Sequence, residues 1–264
     1  MSKLTNLSQA ISTIPDGALL GLGGNALNRA PMAAVMELAR QKKRGLRLVK
    51  TAGGMDVDLL CLAGCAKSVD AGFISFETEY SLCQHYRKAV QEGTVKANEH
   101  ACYTVICALR AASYGIPFMP VRGLQISDLV AANDYFAQVA DPFTGETLNA
   151  VRAIRPDVSI VHAQIADALG NALIEGPKYE DVLLSRASKT VIVTAERIVA
   201  EDYFVQSGTK ANIPHFLVSA VAHVPRGAAP GACHGGYSVR GEDIRSYLNL
   251  QDAGELDAFM QRRL

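Results

Sequence analysis

The sequence contains no tryptophan, no C-x-x-C pair and no apolar run approaching the roughly 18 residues that a membrane-spanning helix needs. The missing tryptophan says nothing about function. The missing run excludes a spanning helix, and the opening stretch MSKLTNLSQAISTIPDG lacks the continuous apolar core of a secretory signal, so a cytoplasmic location is expected. Charge of either sign is not in excess: 26 Lys plus Arg balance 26 Asp plus Glu, which gives no reason to expect nucleic acid or a membrane surface as partner. The cysteines (Cys61, Cys65, Cys83, Cys102, Cys107, Cys233) lie scattered among apolar residues. Cys61-x-x-x-Cys65 is half of a metal site without its other half, and His85, His100, His215, His223 and His234 share no metal-ligand spacing, so no metal is expected and the thiols read as reduced and mostly buried. No repeat, linker or low-complexity segment interrupts the 264 residues, which are expected to form one domain, 1–264, with a sizeable core.

What is present is organised around Ala18 to Arg40, ALLGLGGNALNRAPMAAVMELAR. An apolar run passes through Gly21, Gly23 and Gly24 into a helical pattern with Met32, Val35, Met36 and Ala39 on one face, which predicts strand, glycine turn and helix. Such a turn lets a ligand approach the main chain, and free N–H groups at a following helix start suit an anion. Gly21, Gly23 and Ala26 satisfy the looser dinucleotide pattern. Two features oppose it: Pro31 places the helix start well after the glycines, and the next strand ends in Lys50 and Thr51 where a ribose-binding acid is wanted. A tight turn without any ligand is the plain structural alternative.

Further along, a helix is expected over Leu4 to Ile14 and strands over Leu46 to Val49 and Val69 to Ser75. Thr51-Ala-Gly-Gly54 forms a second strand-end loop, and Asp56 to Leu62 a short helix. Ser81 and Asn98 read as helix caps, the second helix running to Tyr114 with Glu99 in its first turn. Ile116 to Arg122 carries two prolines and is extended without being a central strand, and Gly123 to Thr147 reads as loop with short elements. Val158 to Ile165 is apolar nearly throughout, as buried parallel strands are. Asp167 to Asn171 is a turn from which Ala172 to Ile174 pair back. Strands over Thr190 to Thr194 and Phe216 to Val224, and helices over Tyr179 to Ala187, Glu242 to Leu250 and Leu256 to Arg263, complete the chain. This alternation predicts an α/β fold, an open, mostly parallel sheet with helices on both faces.

Several pieces together give the chain a resemblance to a known family. They are N-R-A-P-M-A at Asn28 to Ala33, G-F-I-S-F-E at Gly72 to Glu77, and L-R-A-A-x-x-G-I-P-F-M-P-x-R at Leu109 to Arg122. H-A-Q-x-A-D-x-x-G-N at His162 to Asn171 and G-A-x-P-G-A-C at Gly227 to Cys233 follow. In this order they resemble the alpha (A) subunit of class I coenzyme A-transferases, most closely the glutaconate CoA-transferase branch. The resemblance implies the CoA-transferase fold and a reaction that moves CoA between an acyl-CoA and a small carboxylic, dicarboxylic or oxo acid. It also implies a covalent route through a glutamyl-CoA thioester on a homologous beta subunit. No catalytic nucleophile is then expected in this chain, which would act only in a heterodimer, heterotetramer or larger assembly. The CoA thioester is a substrate, and no permanently bound cofactor is expected. A branch of the same fold that hydrolyses a CoA-linked steroid ring uses a glutamate of its alpha chain, whose position falls on Cys102. Ile126-Ser-Asp128 also departs from the G-T-D or G-S-D of relatives.

The substrate or CoA contacts expected are Gly23, Gly24, Asn25, Arg29, Thr51, Gly53, Gly54, Ser75 and Arg122. Gly23, Gly24 and Asn25 would donate to an oxyanion, carbonyl or phosphate. Arg29 would grip a carboxylate or pyrophosphate, the alternative being a solvated side chain, and Arg122 a substrate carboxylate, the alternative being a structural salt bridge. Glu77 is the fallback nucleophile, or else a crevice wall or a helix cap. His162 reads as a satisfied core histidine, and Cys102 and Cys107 as packing residues. A ring-cleaving CoA-thioester hydrolase, a nucleotide-binding Rossmann domain and a non-catalytic binding protein remain as alternatives.

Overall fold

The structure, a computed structural model, describes residues 1–261. It opens with strand β1 (Leu4–Thr5) and helix α1 (Leu7–Ser12). The single helix expected from Leu4 to Ile14 is thus shorter: Asn6 is extended and its side chain caps α1 by accepting from the Gln9 N–H, which frees Leu4 and Thr5 to pair with Val221 and Ala222. Strand β2 (Leu19–Leu22), helix α2 (Met32–Arg40) with Pro31 immediately before it, and helix α3 (Met55–Leu62) follow as the periodicity predicts, while strand β3 (Leu46–Gly53) runs past the expected Val49 and strand β4 (Ala66–Ile74) starts before the expected Val69.

Two capping expectations fail. After α4 (Glu77–Tyr80), Ser81 closes that helix at φ +73° instead of opening the next one, and α5 (Gln84–Gln91) follows Cys83. Asn98 and Glu99 lie in β5 (Lys96–Glu99), where Asn98 is held in register with Asp70 of β4. Helix α6 (Cys102–Ser113) starts later, where the Thr104 hydroxyl accepts from the Ala101 N–H. Pairing with a neighbouring strand outweighs a local capping preference here.

Pro120 of β6 (Phe118–Val121) sits on an edge strand, with Pro117 just before it, as the reading of this stretch as extended but not a central strand expects. After α7 (Leu129–Ala132), β7 (Phe136–Ala140) and β8 (Thr147–Arg152) form with it an antiparallel sheet in the order β6-β8-β7. These are the short elements expected between Gly123 and Thr147, and their pairing into a sheet is what the sequence pattern did not show. Strand β9 (Val158–Asp167) is buried along its whole length, and β10 (Ala172–Leu173) folds back on it through a turn in which Asp167 accepts from Gly170 and Asn171. Helix α8 (Asp181–Ala187), strand β11 (Thr190–Val199), helix α9 (Tyr203–Gln206), strand β12 (Ala220–His223), and helices α10 (Gly241–Leu248) and α11 (Ala253–Gln261) end the described chain. The sequence pattern carries the last helix to Arg263; positions 262 and 263 lie outside the described residues.

The main sheet has nine strands in the order β1-β12-β11-β9-β2-β3-β4-β5, parallel at every step, with β10 antiparallel on β9. Along β9, Val158 and Ile160 pack into one apolar cluster with residues of α1, α2 and α3, while Val161 and Ala163 pack into another with residues of α6 and α8. Period-two alternation therefore puts a helix layer on each face. From β2 the chain builds outward through β3 to β5, and from β9 it builds the opposite way through β11 and β12. The β2–β9 seam is the topological switch point, where open α/β sheets form a crevice at the strands' carboxyl ends.

Candidate functional site

The Gly23–Pro31 loop leaves β2 at this switch point, and its conformation is dictated by what packs against it. A Cβ on Gly23 would stand 2.1 Å from Asp181 Oδ1, so only glycine lets that carboxylate seat against the turn. Gly24 has φ +72°, and a Cβ there would meet the Arg29 carbonyl oxygen at 2.4 Å. The turn's donors are spent internally: Gly23 N–H on Ile160 O (2.9 Å), Gly24 N–H on Asp181 Oδ1 (2.9 Å), Asn25 N–H on Asn28 O (2.8 Å). The backbone N–H groups of Gly23, Gly24 and Asn25, expected to meet a ligand together with the Asn25 amide, are thus occupied within the chain. Their occupation equally removes the anion cradle a Rossmann reading requires.

Arg29 is also reassigned. It is 2% exposed, with φ +55°, and its guanidinium donates to His162 O (2.8 Å), Pro177 O (3.1 Å) and Asp181 Oδ2 (2.7 Å). It pins the turn to β9 and to the start of α8, with its charge answered by a buried carboxylate. It is not solvated, and its charge is already answered within the chain.

The loop expected over Thr51 to Gly54 is strand through Gly53, because β3 stays paired with β4 up to Gly53–Ile74; on that strand Lys50 Nζ lies 2.6 Å from Asp56 Oδ2 and donates to Gly23 O at 2.5 Å, tying the end of β3 to the glycine turn. A Cβ on Gly53 would lie 2.6 Å from Ile74 Cδ1 and 2.7 Å from Val57 Cγ2, side-chain ends that would have to give way, and the Gly54 N–H is taken by Asp56 Oδ1 at 2.9 Å. Thr51 differs: it is buried, yet its hydroxyl has no hydrogen-bond partner among the described residues.

Ser75 follows β4 and donates to Ser81 O (3.1 Å), while Glu77 is exposed at the start of α4 with φ +64°. Arg122 stands on the small sheet with both nitrogens of its fork on Glu146, at 3.0 and 2.7 Å. The salt-bridge alternative is the one observed. This pair is exposed, so Arg122→Ala is expected to change the unfolding free energy by less than about 1 kcal/mol in urea titrations.

Cys102 at the start of α6 is half-buried, not a plain packing residue like Cys107, and its thiol donates to Thr51 O at 3.5 Å. Gly72 makes this approach possible, because a Cβ there would lie 2.2 Å from Cys102 N. Across from it, Glu180 precedes α8, half-buried. Sequence reasoning missed Glu180 and Asp181, since two acids at a helix start read simply as complements of its dipole.

A cavity of about 720 Å³ opens on the other side of Arg29, lined also by Glu79, Tyr80, Tyr179, Cys233, His234 and Tyr237. Behind it, His162 Nε2 and Nδ1 lie 2.8 Å from Glu196 Oε1 and from Thr194 Oγ1, and the Tyr237 hydroxyl donates to Glu196 Oε1 at 2.5 Å. His162 is thus the satisfied core histidine expected. Burial works against the Glu196 carboxylate, but hydrogen bonds from His162, Tyr237 and the Arg226 N–H outweigh it and hold its pKa below the usual range. His162, Glu196 and Cys233 present donor atoms within 4.8 Å of one another and could hold a metal ion. Their chemistry argues for a closed network instead: His162 and Glu196 already occupy each other, and burial pushes the Cys233 thiol up to about 11, away from the thiolate a metal binds.

Residues 4–223 match the sequence family described as Coenzyme A transferase. The chain is 31% identical to the A subunit of glutaconate CoA-transferase from Acidaminococcus fermentans, over 98% of this chain and 87% of that one. The crystal structure of that transferase aligns with a TM-score of 0.92 over 99% of this chain and 88% of its own, at 30% identity. Identity to the A subunit of 3-oxoadipate CoA-transferase from Pseudomonas knackmussii is 35%, over 90% and 84% of the two chains. To the cholesterol ring-cleaving hydrolase IpdA subunit of Mycobacterium tuberculosis it is 31%, over 86% and 80%. The crystal structure of the decarboxylase AibA/AibB, in a cysteine-to-serine variant, gives a TM-score of 0.89 at 34% identity, covering 99% and 98%. An uncharacterised protein of Archaeoglobus fulgidus, 34% identical, is longer, and the chain spans 56% of it.

Proposed function

Since this chain belongs to the coenzyme A transferase family, we propose that it is the A-type subunit of a two-chain cytoplasmic CoA-transferase, 1–264 forming one domain, with a small carboxylic, dicarboxylic or oxo acid as acceptor. The observation that carries this reading is the end-to-end likeness to A subunits of transferases, covering 98% of the chain for the glutaconate enzyme. A glutamate of the partner attacks the thioester carbonyl, the C–S bond breaks, and CoA thiolate leaves an acyl-glutamyl anhydride behind. The thiolate then attacks the glutamyl carbonyl, releasing the first acid as its carboxylate and leaving a glutamyl-CoA thioester, which the second acid resolves by the same steps in reverse. This chain supplies the opposite wall of the cleft. Phe73, Leu82, Tyr103 and Tyr179 are large, exposed side chains on segments at the strand ends, and we place the partner against them.

The test uses the complex purified with the chain encoded next to it. Acyl-CoA followed by borohydride or hydroxylamine is expected to mark one glutamate of the partner, located by peptide mass, and the isolated chain is expected to transfer no CoA. Transfer by the isolated chain, or a mark on Glu77, would overturn the placement of the nucleophile. The likeness to the IpdA subunit favours one second reading, a ring-cleaving hydrolase of a CoA thioester, although the resemblance implies a glutamate of that branch at the position of Cys102. Opening of a ring in a CoA-linked substrate, with the thioester intact and no acceptor acid present, would identify it.

A further inference from the structure

The crevice lies at the carboxyl ends of β2, β3, β4 and β9, and a carboxylate bound there needs a cation or hydrogen-bond donors in place of its water. The segments at these ends, 23–31, 50–54, 75–83 and 168–180, contain three cations: Arg29, Lys50 and Lys178. Two are spent. Arg29 and Lys50 are each 2% exposed, the first held on Asp181 Oδ2 at 2.7 Å and the second on Asp56 Oδ2 at 2.6 Å. Lys178 is exposed and does not line the cavity of about 720 Å³, although Pro177 and Tyr179 on either side of it do. His234 lines it as well, its ring packed against Gly176, and offers no permanent charge. The same four segments contain four glutamates: Glu77, Glu79 and Glu175 are exposed and Glu180 is half-buried. Glu79 lines the cavity together with Tyr80, Tyr179 and Tyr237.

We propose that this wall makes the complex select acids with a single carboxylate, the acyl chain lying in the tyrosine-lined cavity, and discriminate against dicarboxylic acids, whose second carboxylate would face Glu79 without a free cation beside it. The inference rests on the CoA reading above and narrows its acceptor. The first carboxylate of any acceptor becomes the thioester carbonyl and belongs to the partner's glutamate, so only the far end of the acid has to be housed here. Tyrosine rings give a methylene chain apolar surface, and the cavity is of the size that small-molecule sites have. A second carboxylate would lose water there and meet charge of its own sign. Tyr179 senses the same field: burial raises the pKa of its phenol, Arg29 lowers it, and Asp181, Glu180 and Glu77 all raise it, with the net shift upward.

The test measures CoA transfer by the two-chain complex from acetyl-CoA to acids matched in length, butyric against succinic and hexanoic against adipic. Within each pair the wild-type complex is expected to use the monocarboxylic acid with a kcat/KM at least about tenfold higher. Glu79→Lys places a cation on the cavity wall, and it should lower the KM of the dicarboxylic acids by about tenfold while leaving that of the monocarboxylic acids within about twofold. Glu79→Gln should move the same KM in the same direction by less. Glu79 is exposed, so neither variant should shift the melting temperature, which separates selection from a structural role. A wild-type complex that prefers the dicarboxylic member of both pairs, or a Glu79→Lys complex with the wild-type KM for all four acids, would overturn the selection and leave the transferase reading intact. A wild-type complex that binds no acetyl-CoA in calorimetry and passes CoA to none of the acids would overturn that reading, and this inference with it.

Discussion

Asp181→Ala is expected to lower the unfolding free energy by about 3–5 kcal/mol, read as a reduced midpoint in urea or guanidinium unfolding. The size follows from what the substitution leaves behind. Asp181 is 1% exposed, accepts from the Gly24 N–H at 2.9 Å and holds the Arg29 guanidinium at 2.7 Å. Alanine strands a buried cation and a buried N–H at once. The loss is large because the partners remain, not because the ion pair is strong in itself. Replacing both members, as in Arg29→Met with Asp181→Leu, should therefore recover a substantial part of it, and the double-mutant cycle should show strong coupling. A loss below about 1 kcal/mol for Asp181→Ala would mean that the turn is held by something other than this pair.

Gly24→Ala is the second substitution expected to be severe, costing about 3 kcal/mol or more and reducing the yield of folded protein on expression. Two terms add. A left-handed backbone costs an L-residue roughly 1–2 kcal/mol, and Gly24 sits at φ +72°. The new Cβ would also lie 2.4 Å from Arg29 O and 2.5 Å from Ala30 N, backbone atoms that can yield only if the loop moves. Gly17→Ala separates the terms, because Gly17 has φ +74° and open space within 4 Å of its Cβ position. It should cost only the conformational part, about 1–2 kcal/mol. Equal losses at the two positions would show that the steric argument at Gly24 is wrong.

These two substitutions also mark where the sequence was readable. The apolar runs of β2, β3 and β9, the helix start after Pro31 and the turn between Asp167 and Asn171 are written in local pattern, and the structure has them. Ser81 and Asn98 carry good capping side chains, yet strand pairing and the path into α5 decided their roles. The hairpin of β7 and β8 was hidden because FAQVA and TLNAVR mix exposed and buried positions without a sustained apolar face. At the site, the glycine turn was legible as a special place. What fills it was not: Asp181 lies 157 residues from the N–H it accepts, and nothing in a local window announces that meeting. Arg29 looked like a ligand-binding arginine for the same reason that it is buried, since its fork suits a carboxylate, here one from its own chain.

The seam between β2 and β9 also bears on how the protein is made. Leu19 and its partner Asp157 are separated by 138 residues, so at about 5–20 residues per second a ribosome leaves one flank of β2 bare for on the order of ten seconds. During that time the emerging polypeptide already holds β3 to β5 for the other flank. A nascent half-sheet of this kind is a template for stray strands until β9 emerges to cover it.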